Sequence, residues 1–338
     1  MQLKQERPSS QELHAIPKHY SVSFLINNYN YGRFLGDAIR SVLNQAIEGE
    51  NISYEVIVVD DGSTDDSSAV MAQFGDRITA ILKPNGGQAS AFNAGVAASS
   101  GEWICFLDAD DVVRSDKAQM ILQVASAYPD AEWIFHPLQP VDADLVPIDM
   151  TQIDETPIDM GPTDVKTKPL VDSIDVRASM EKGRLDYRKL PFPTPATSGL
   201  CIRRSRLAHI LPMPESDGIS LNDSYLQYTA MGTSPGLFLS HRLASQRYHG
   251  KNAFIQGDNP ILNARIFLLT AYWLYHRFAT LRQFSNQILA CAIVESWRSR
   301  VPWSPIETQQ FQQLISGLSI RNRVRVYSKA TYLYLRSL

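Results

Sequence analysis

Three short stretches of this sequence gather polar side chains where an apolar run stops. Asn27, Asn28, Tyr29 and Asn30 follow SVSFLI (21–26), Asp60 and Asp61 close YEVIVV (54–59), and Asp108, Asp110 and Asp111 close WICFL (103–107). Consecutive carboxylates repel one another, so each acidic cluster needs hydrogen-bond donors or a cation. Turn and capping chemistry accounts for Asp60-Asp61-Gly62-Ser63 about as well as a binding role does. Three carboxylates within 108–111 exceed what a cap requires. A hard divalent cation, Mn²⁺ or Mg²⁺, held by one or two carboxylates together with phosphate oxygens, is the natural neutraliser.

Polar ends of apolar runs converge only if the runs lie side by side. The runs are short and rich in β-branched and aromatic residues, as strands are. After the first, Phe34, Leu35, Ala38, Ile39, Val42 and Leu43 recur at three and four residues, which predicts an amphipathic helix. After the second, Ser63 or Thr64 is expected to cap a polar helix. Residues 78–82 read as a third strand, 87–99 as a small-residue helix, 103–107 as a fourth strand, 117–128 as a helix and 133–136 as a strand. Strands alternating with helices imply an α/β fold, with a mainly parallel sheet flanked by helices. In such sheets the ligand crevice lies at the carboxyl ends of the strands, where the polar clusters stand.

The rest of the chain divides by composition. Residues 1–19 read as a polar arm and 20–255 as the sheet domain. Within it, 141–196 reads as an irregular excursion, of which 141–181 is acidic, with ten carboxylates against three cations. Residues 256–338 read as a C-terminal helical extension. From Ser296 onward seven basic residues face one acid, Glu307, with five tryptophans and tyrosines among them. This suits either a solvated basic face or peripheral contact with an anionic membrane. Overall composition, 44% apolar and 20% charged with a net charge of −3, is that of a folded soluble chain with no global pull toward nucleic acid. Cys105, Cys201 and Cys291 form no CxxC pair, and no signal-like or membrane-spanning run is apparent, so a cytoplasmic location is expected.

Common nucleotide and hydrolase signatures are absent. No GxGxxG follows the first strand, and neither GxxxxGK[ST] nor GxSxG occurs. A sugar-1-phosphate nucleotidyltransferase would carry a glycine-rich basic loop after its first strand, which NNYNYGRF is not. The ordered set SVSFLINNYN (21–30), EVIVVDDGSTDDS (55–67), NGGQASAFNAG (85–95) and GEWICFLDADD (101–111) instead resembles the family 2 glycosyltransferases of GT-A, Rossmann-like fold. TSGLCIRRSRL (197–207), Asn222-Asp223 and QRYHGKN (246–252) resemble that family's later elements. The C-terminal helices lie outside the resemblance.

The resemblance implies a nucleotide site in which Asp61 accepts a hydrogen bond from the base of a uridine nucleotide, with Asn28 and Tyr29 beside it. Asn85, Gly86, Gly87 and Gln88 would wall the nucleotide. Asp108 would lie near the ribose and the metal, and Asp110 of the Asp108-Ala109-Asp110 motif would hold the Mn²⁺ or Mg²⁺. His249 reads either as a further metal or diphosphate contact or as a packed histidine at a strand end. Asp223 would be the catalytic base, although it also reads as a cap on the helix that follows. Three positions depart from the usual pattern: Asn27 where proline or threonine is frequent, Asn222 where glutamate often precedes the base, and Phe92 where a basic residue is common. One base and a direct displacement imply an inverting transfer from a UDP-linked sugar to an acceptor hydroxyl. The acceptor class would be a growing cell-surface glycan or a lipid-linked saccharide, as in polysaccharide biosynthesis. A retaining enzyme of the same fold and a catalytically idle nucleotide-sugar- or carbohydrate-binding subunit are the alternatives.

Overall fold

A computed structural model describes residues 20–48, 52–149, 171–185, 195–215, 221–250, 252 and 259–337. Strands β1 (Tyr20–Asn28), β2 (Ile52–Asp60), β3 (Thr79–Leu82) and β4 (Trp103–Asp108) are the four apolar runs, parallel to one another in the order β3-β2-β1-β4. Register places Asn28 beside Asp60 and Asn27 beside Asp108. The polar clusters therefore emerge at one edge of the sheet. Helices α1 (Gly32–Leu43), α2 (Ser67–Ala72) and α3 (Gly87–Ala98) connect these strands.

Alternate residues of each strand feed opposite cores, as the period of two requires. Val22, Phe24 and Ile26 pack with Leu35, Ile39 and Val42 of α1, while Leu25 joins Ile104 and Phe106 on the other face. Phe92 of α3 belongs to that second core, fully buried with its ring 4.9 Å from that of Phe106. It is therefore a packing residue on the sheet and does not line the cavity at its edge. Ser63 and Thr64 do not cap α2; Asp66 occupies that position, and the two hydroxyl residues bind the loop after β1 instead.

Beyond β4 the sheet is mixed. After β5 (Val112–Val113) and α4 (Lys117–Ala127), β6 (Trp133–Phe135) does not pair with β4. The later strand β9 (Leu200–Arg203) is inserted antiparallel between them. Strand β7 (Leu138–Val141) leaves toward a second, three-stranded sheet. In the acidic excursion, residues 150–170 and 186–194 lie outside the described residues; 142–149 is turns and irregular chain as expected, whereas 171–174 and 177–181 form regular elements. Strand β8 (Val171–Ile174) closes the sheet edge against β10 (Gly236–Leu239), and α5 (Arg177–Glu181) buries Met180 in the core.

Helices α6 (Arg204–Ile210) and α7 (Asp223–Thr233) lead to β11 (Ala244–Arg247), the middle strand of the small sheet β5-β11-β7. The C-terminal helices α8 (Pro260–Arg277), α9 (Arg282–Ser299), α10 (Pro305–Gly317) and α11 (Ile320–Ser337) are helical as expected. Leu268, Leu274, Ile288 and Leu289 share one apolar cluster with Phe106 and Phe135 of the sheet, so this extension completes the core of one face. No helix among the described residues is long and apolar enough to cross a membrane.

Candidate active site

The carboxyl ends of β1, β2 and β4 open into a cavity of about 1020 Å³ whose wall includes Asn28, Tyr29, Asp61, Asn85, Gly87 and Gln88. Asp108, Asp110, Asp223 and His249 line the same cavity. Each element brings its residue there for a local reason. Gly62 has φ +77°, and a Cβ on it would lie 2.6 Å from the Asn85 amide nitrogen, so only glycine lets the two loops touch. Gly87 opens α3 at φ +80° and aims its N–H at Asp61.

Asp61 is buried and heavily engaged. Lys83 Nζ donates to Oδ1 at 2.5 Å, Gly87 N to Oδ2 at 2.7 Å, and Gly86 N reaches both oxygens at 3.0 and 3.1 Å. Helix-terminal amides and an ammonium neutralise this acid without a metal. Beside it, Asn28 Nδ2 donates to Asp60 Oδ1 at 2.7 Å and to Ser63 Oγ at 3.1 Å. Asn28 Oδ1, though buried, takes no hydrogen bond among the described residues. Tyr29 stands half exposed at the rim.

The second acidic group divides into different roles. Asp111 is buried and satisfied within the protein, since Ser198 Oγ donates to it at 2.6 Å and the Arg247 amide at 2.9 Å. Asp108 accepts from Asn27 Nδ2 at 2.9 Å, and its backbone amide donates to Ser198 Oγ at 3.1 Å. Burial, then the charge of Asp110, pushes the Asp108 carboxyl up to about 7. Asp110 Oδ2 meets His249 Nε2 at 3.0 Å and Asn252 Nδ2 at 3.1 Å.

The small sheet explains how residues 139 positions apart meet. Strand β5 begins directly after Asp111 and pairs with β11, which delivers Arg247, Tyr248 and His249 over the acidic turn. Arg247 pins that approach: it is buried, its guanidinium lies 4.6 Å from the Phe34 ring centre, and it pairs with Asp37 at 3.2 Å. His249 packs on the same Phe34 ring, 4.5 Å between centroids.

Among the described residues no three His, Cys, Asp or Glu side chains form a ready metal cage. The Asp110–His249 pair nonetheless suits a divalent cation. Two ligands at right angles around Mg²⁺ or Mn²⁺ stand about 3 Å apart when each bond is about 2.1 Å. Asp110 Oδ2 and His249 Nε2 lie 3.0 Å apart, a hydrogen-bond distance that also falls within the reach of one such ion. Asp108 lines the same wall and would be the third side chain within reach of such an ion.

Asp223 reaches this wall from the start of α7. The cap of that helix is Asn222, whose side chain accepts from Ser224 N at 3.2 Å. Asp223 Oδ2 takes the Thr197 hydroxyl at 3.2 Å. Desolvation pushes its carboxyl up to about 6, with the Thr197 hydrogen bond pulling the other way. Thr197 also receives Gln88 Nε2 at 3.3 Å, and so ties the start of α3 to the segment beside Asp223.

Sequence reasoning missed Lys83, Lys117, Thr197, Ser198 and Asn252. Thr197, Ser198 and Asn252 sit inside the TSGLC and YHGKN runs, where short polar residues beside glycine were the available signal. Lys117 gave none. It is fully buried, and its ammonium donates to Ser198 O at 2.8 Å beneath the acidic turn.

Residues 23–139 match the family described as Glycosyl transferase family 2. The chain is 34% identical over 235 residues to an uncharacterized glycosyltransferase of Nostoc sp., covering 68% of this chain and 66% of that one. It is 40% identical over 115 residues to the succinoglycan biosynthesis protein ExoO of Rhizobium meliloti, covering 33% of this chain and 32% of that protein. The chain thus spans about two thirds of the first relative and a third of the second. Its fold is similar to that of S. aureus TarS 1–349 crystallised with UDP-GlcNAc, with a TM-score of 0.57, 16% identity, and coverage of 94% of this chain and 89% of that one.

Proposed function

This chain is a glycosyltransferase of family 2, and we propose that it moves a sugar from a UDP-sugar to an acceptor hydroxyl with inversion, using Asp223 as base. One observation carries the reading: a carboxylate pushed up to about 6 shares a cavity with the Asp61 loop and the Asp108–Asp110 turn. A group with that proton affinity is ionised at neutral pH yet basic enough to take a hydroxyl proton as the oxygen attacks. The Thr197 hydroxyl fixes its orientation. The UDP complex of the fold-mate TarS is in keeping with a uridine donor.

On the donor side, Tyr29 offers a ring at the cavity rim, and Asn28 Oδ1 and Asp61 offer acceptors to the imide N–H of a uracil. Asp110, Asp108 and His249 would hold Mn²⁺ or Mg²⁺, which when bound neutralises the diphosphate leaving group as a Lewis acid. Asp111 stays a structural acid that fixes the turn through Ser198 and Arg247. Saccharide or lipid-linked saccharide acceptors fit the reading.

The test is to incubate the protein with a panel of UDP-sugars, Mn²⁺ and such acceptors, following UDP release and anomeric configuration by NMR. An inverted product supports the reading. A retained configuration removes Asp223 as base, and donor binding without turnover on any acceptor favours a binding subunit.

A further inference from the structure

Helix α11 has two apolar faces. Val326, Ala330 and Leu333 are buried, packed with the core that includes α9. Ile320, Val324, Tyr327 and Leu335, spaced four, three and eight residues apart, fall on a single different stripe at 3.6 residues per turn. That stripe faces outward: Ile320 is 80% exposed, Val324 59% and Leu335 64%. Trp297 of α9, itself partly exposed, stacks edge-on with Tyr334 at 5.6 Å and widens the patch. Exposed Ser328 and Thr331 interrupt the stripe between Tyr327 and Leu335. An exposed apolar stripe of this kind marks a place of contact.

Charge indicates the occupant. From Thr308 to Leu338 the sequence holds no Asp or Glu, and α11 carries Arg321, Arg323, Arg325, Lys329 and Arg336. Arg323 is tied to the Ser316 and Leu318 carbonyls and Lys329 to Gln287. Arg321 and Arg325 are exposed along one flank of the stripe, and Arg336 reaches Tyr332 on the same flank. A second copy of the helix laid on this face would bring like charges together in an isologous contact, which is unfavourable. A surface that is apolar beneath and anionic above satisfies both the stripe and its cations.

We propose that α11 is an interfacial helix that docks this chain on an anionic lipid bilayer. Ile320, Val324 and Leu335 enter the acyl boundary, Tyr327 and Tyr332 lie at headgroup depth, and Arg321, Arg325 and Arg336 meet lipid phosphates. This holds whether or not the transfer reaction runs as proposed above.

Flotation of the full chain with vesicles tests it. Phosphatidylcholine vesicles with and without phosphatidylglycerol are compared for the wild type, for the triple Ile320→Ser, Val324→Ser, Leu335→Ser, and for the triple Arg321→Gln, Arg325→Gln, Arg336→Gln. All six positions are exposed, and an unchanged thermal melt verifies each fold. The wild type is expected to float with anionic vesicles only, with either triple lowering the partition at least about tenfold. Wild-type protein left at the bottom of the gradient, or equal binding to neutral vesicles, overturns the proposal. So does a soluble dimer that the serine triple dissolves, which would assign the stripe to a second copy.

Discussion

Asn222 caps helix α7 through Ser224 N at 3.2 Å, which leaves the neighbouring Asp223 carboxylate free to receive the Thr197 hydroxyl at 3.2 Å. One residue does the structural work of the helix start, and the next faces the cavity.

This separation predicts distinct outcomes for the two positions. Asp223→Asn keeps size and hydrogen-bonding reach but loses the proton acceptor, so transfer should fall by about 10² or more while UDP binding persists. Asn222→Ala should cost about 1 kcal/mol of stability, read as a lower Tm. Near-normal turnover in a folded Asp223→Asn protein would move the base elsewhere.

The raised Asp223 carboxyl gives turnover an acid limb. Activity should climb as pH rises through about 6 and level off above, because only the ionised carboxylate accepts a proton. Stability runs the opposite way. Between the ordinary 3.8 and about 6 the folded state keeps a proton the unfolded state has released, so this residue makes stability fall as pH rises across that window. Asp223→Asn should flatten that part of the Tm-versus-pH curve. An unchanged curve would mean that the side chain is not desolvated as described.

Chelation should weaken UDP binding about tenfold or more, and Asp110→Asn should reproduce the loss, measured by calorimetry with and without Mn²⁺. Because burial and Asp110 hold the Asp108 carboxyl near 7, Mn²⁺ uptake below that pH should release a proton and strengthen as pH rises toward it. Equal UDP affinity in the chelated protein would remove the metal from the donor site.

Gly62→Ala should destabilise the protein by about 1–3 kcal/mol. It combines a left-handed φ of +77° with a Cβ 2.6 Å from the Asn85 amide nitrogen. The same change parts the Asp60–Ser63 and Asn85–Gln88 loops, so UDP affinity should drop with Tm. A variant with an unaltered melt would show that the loops tolerate separation.

What the amino-acid sequence determined by itself is the sheet edge at which the polar clusters gather. Runs such as SVSFLI and YEVIVV must be buried strands, and a parallel sheet delivers their polar ends to one edge, so the convergence of Asn28, Asp61, Asp108 and Asp110 was legible from local pattern, while their roles toward a donor rest on the resemblance. Tertiary structure decided the rest. Strand β9 enters antiparallel between β4 and β6, and pairing of Cys105 with Cys201 carries Thr197 and Ser198 up against Asp108 and Asp111. No local periodicity encodes which distant strand fills that gap. Lys117 was hidden for a related reason: a lysine reads as surface until the fold closes over it and offers Ser198 O as its partner. His249 and Asn252 reach Asp110 only because β11 pairs with the two residues that follow the acidic turn. Strand identity is written in side-chain period, whereas strand neighbourhood depends on which long-range pairings bury the most surface at once.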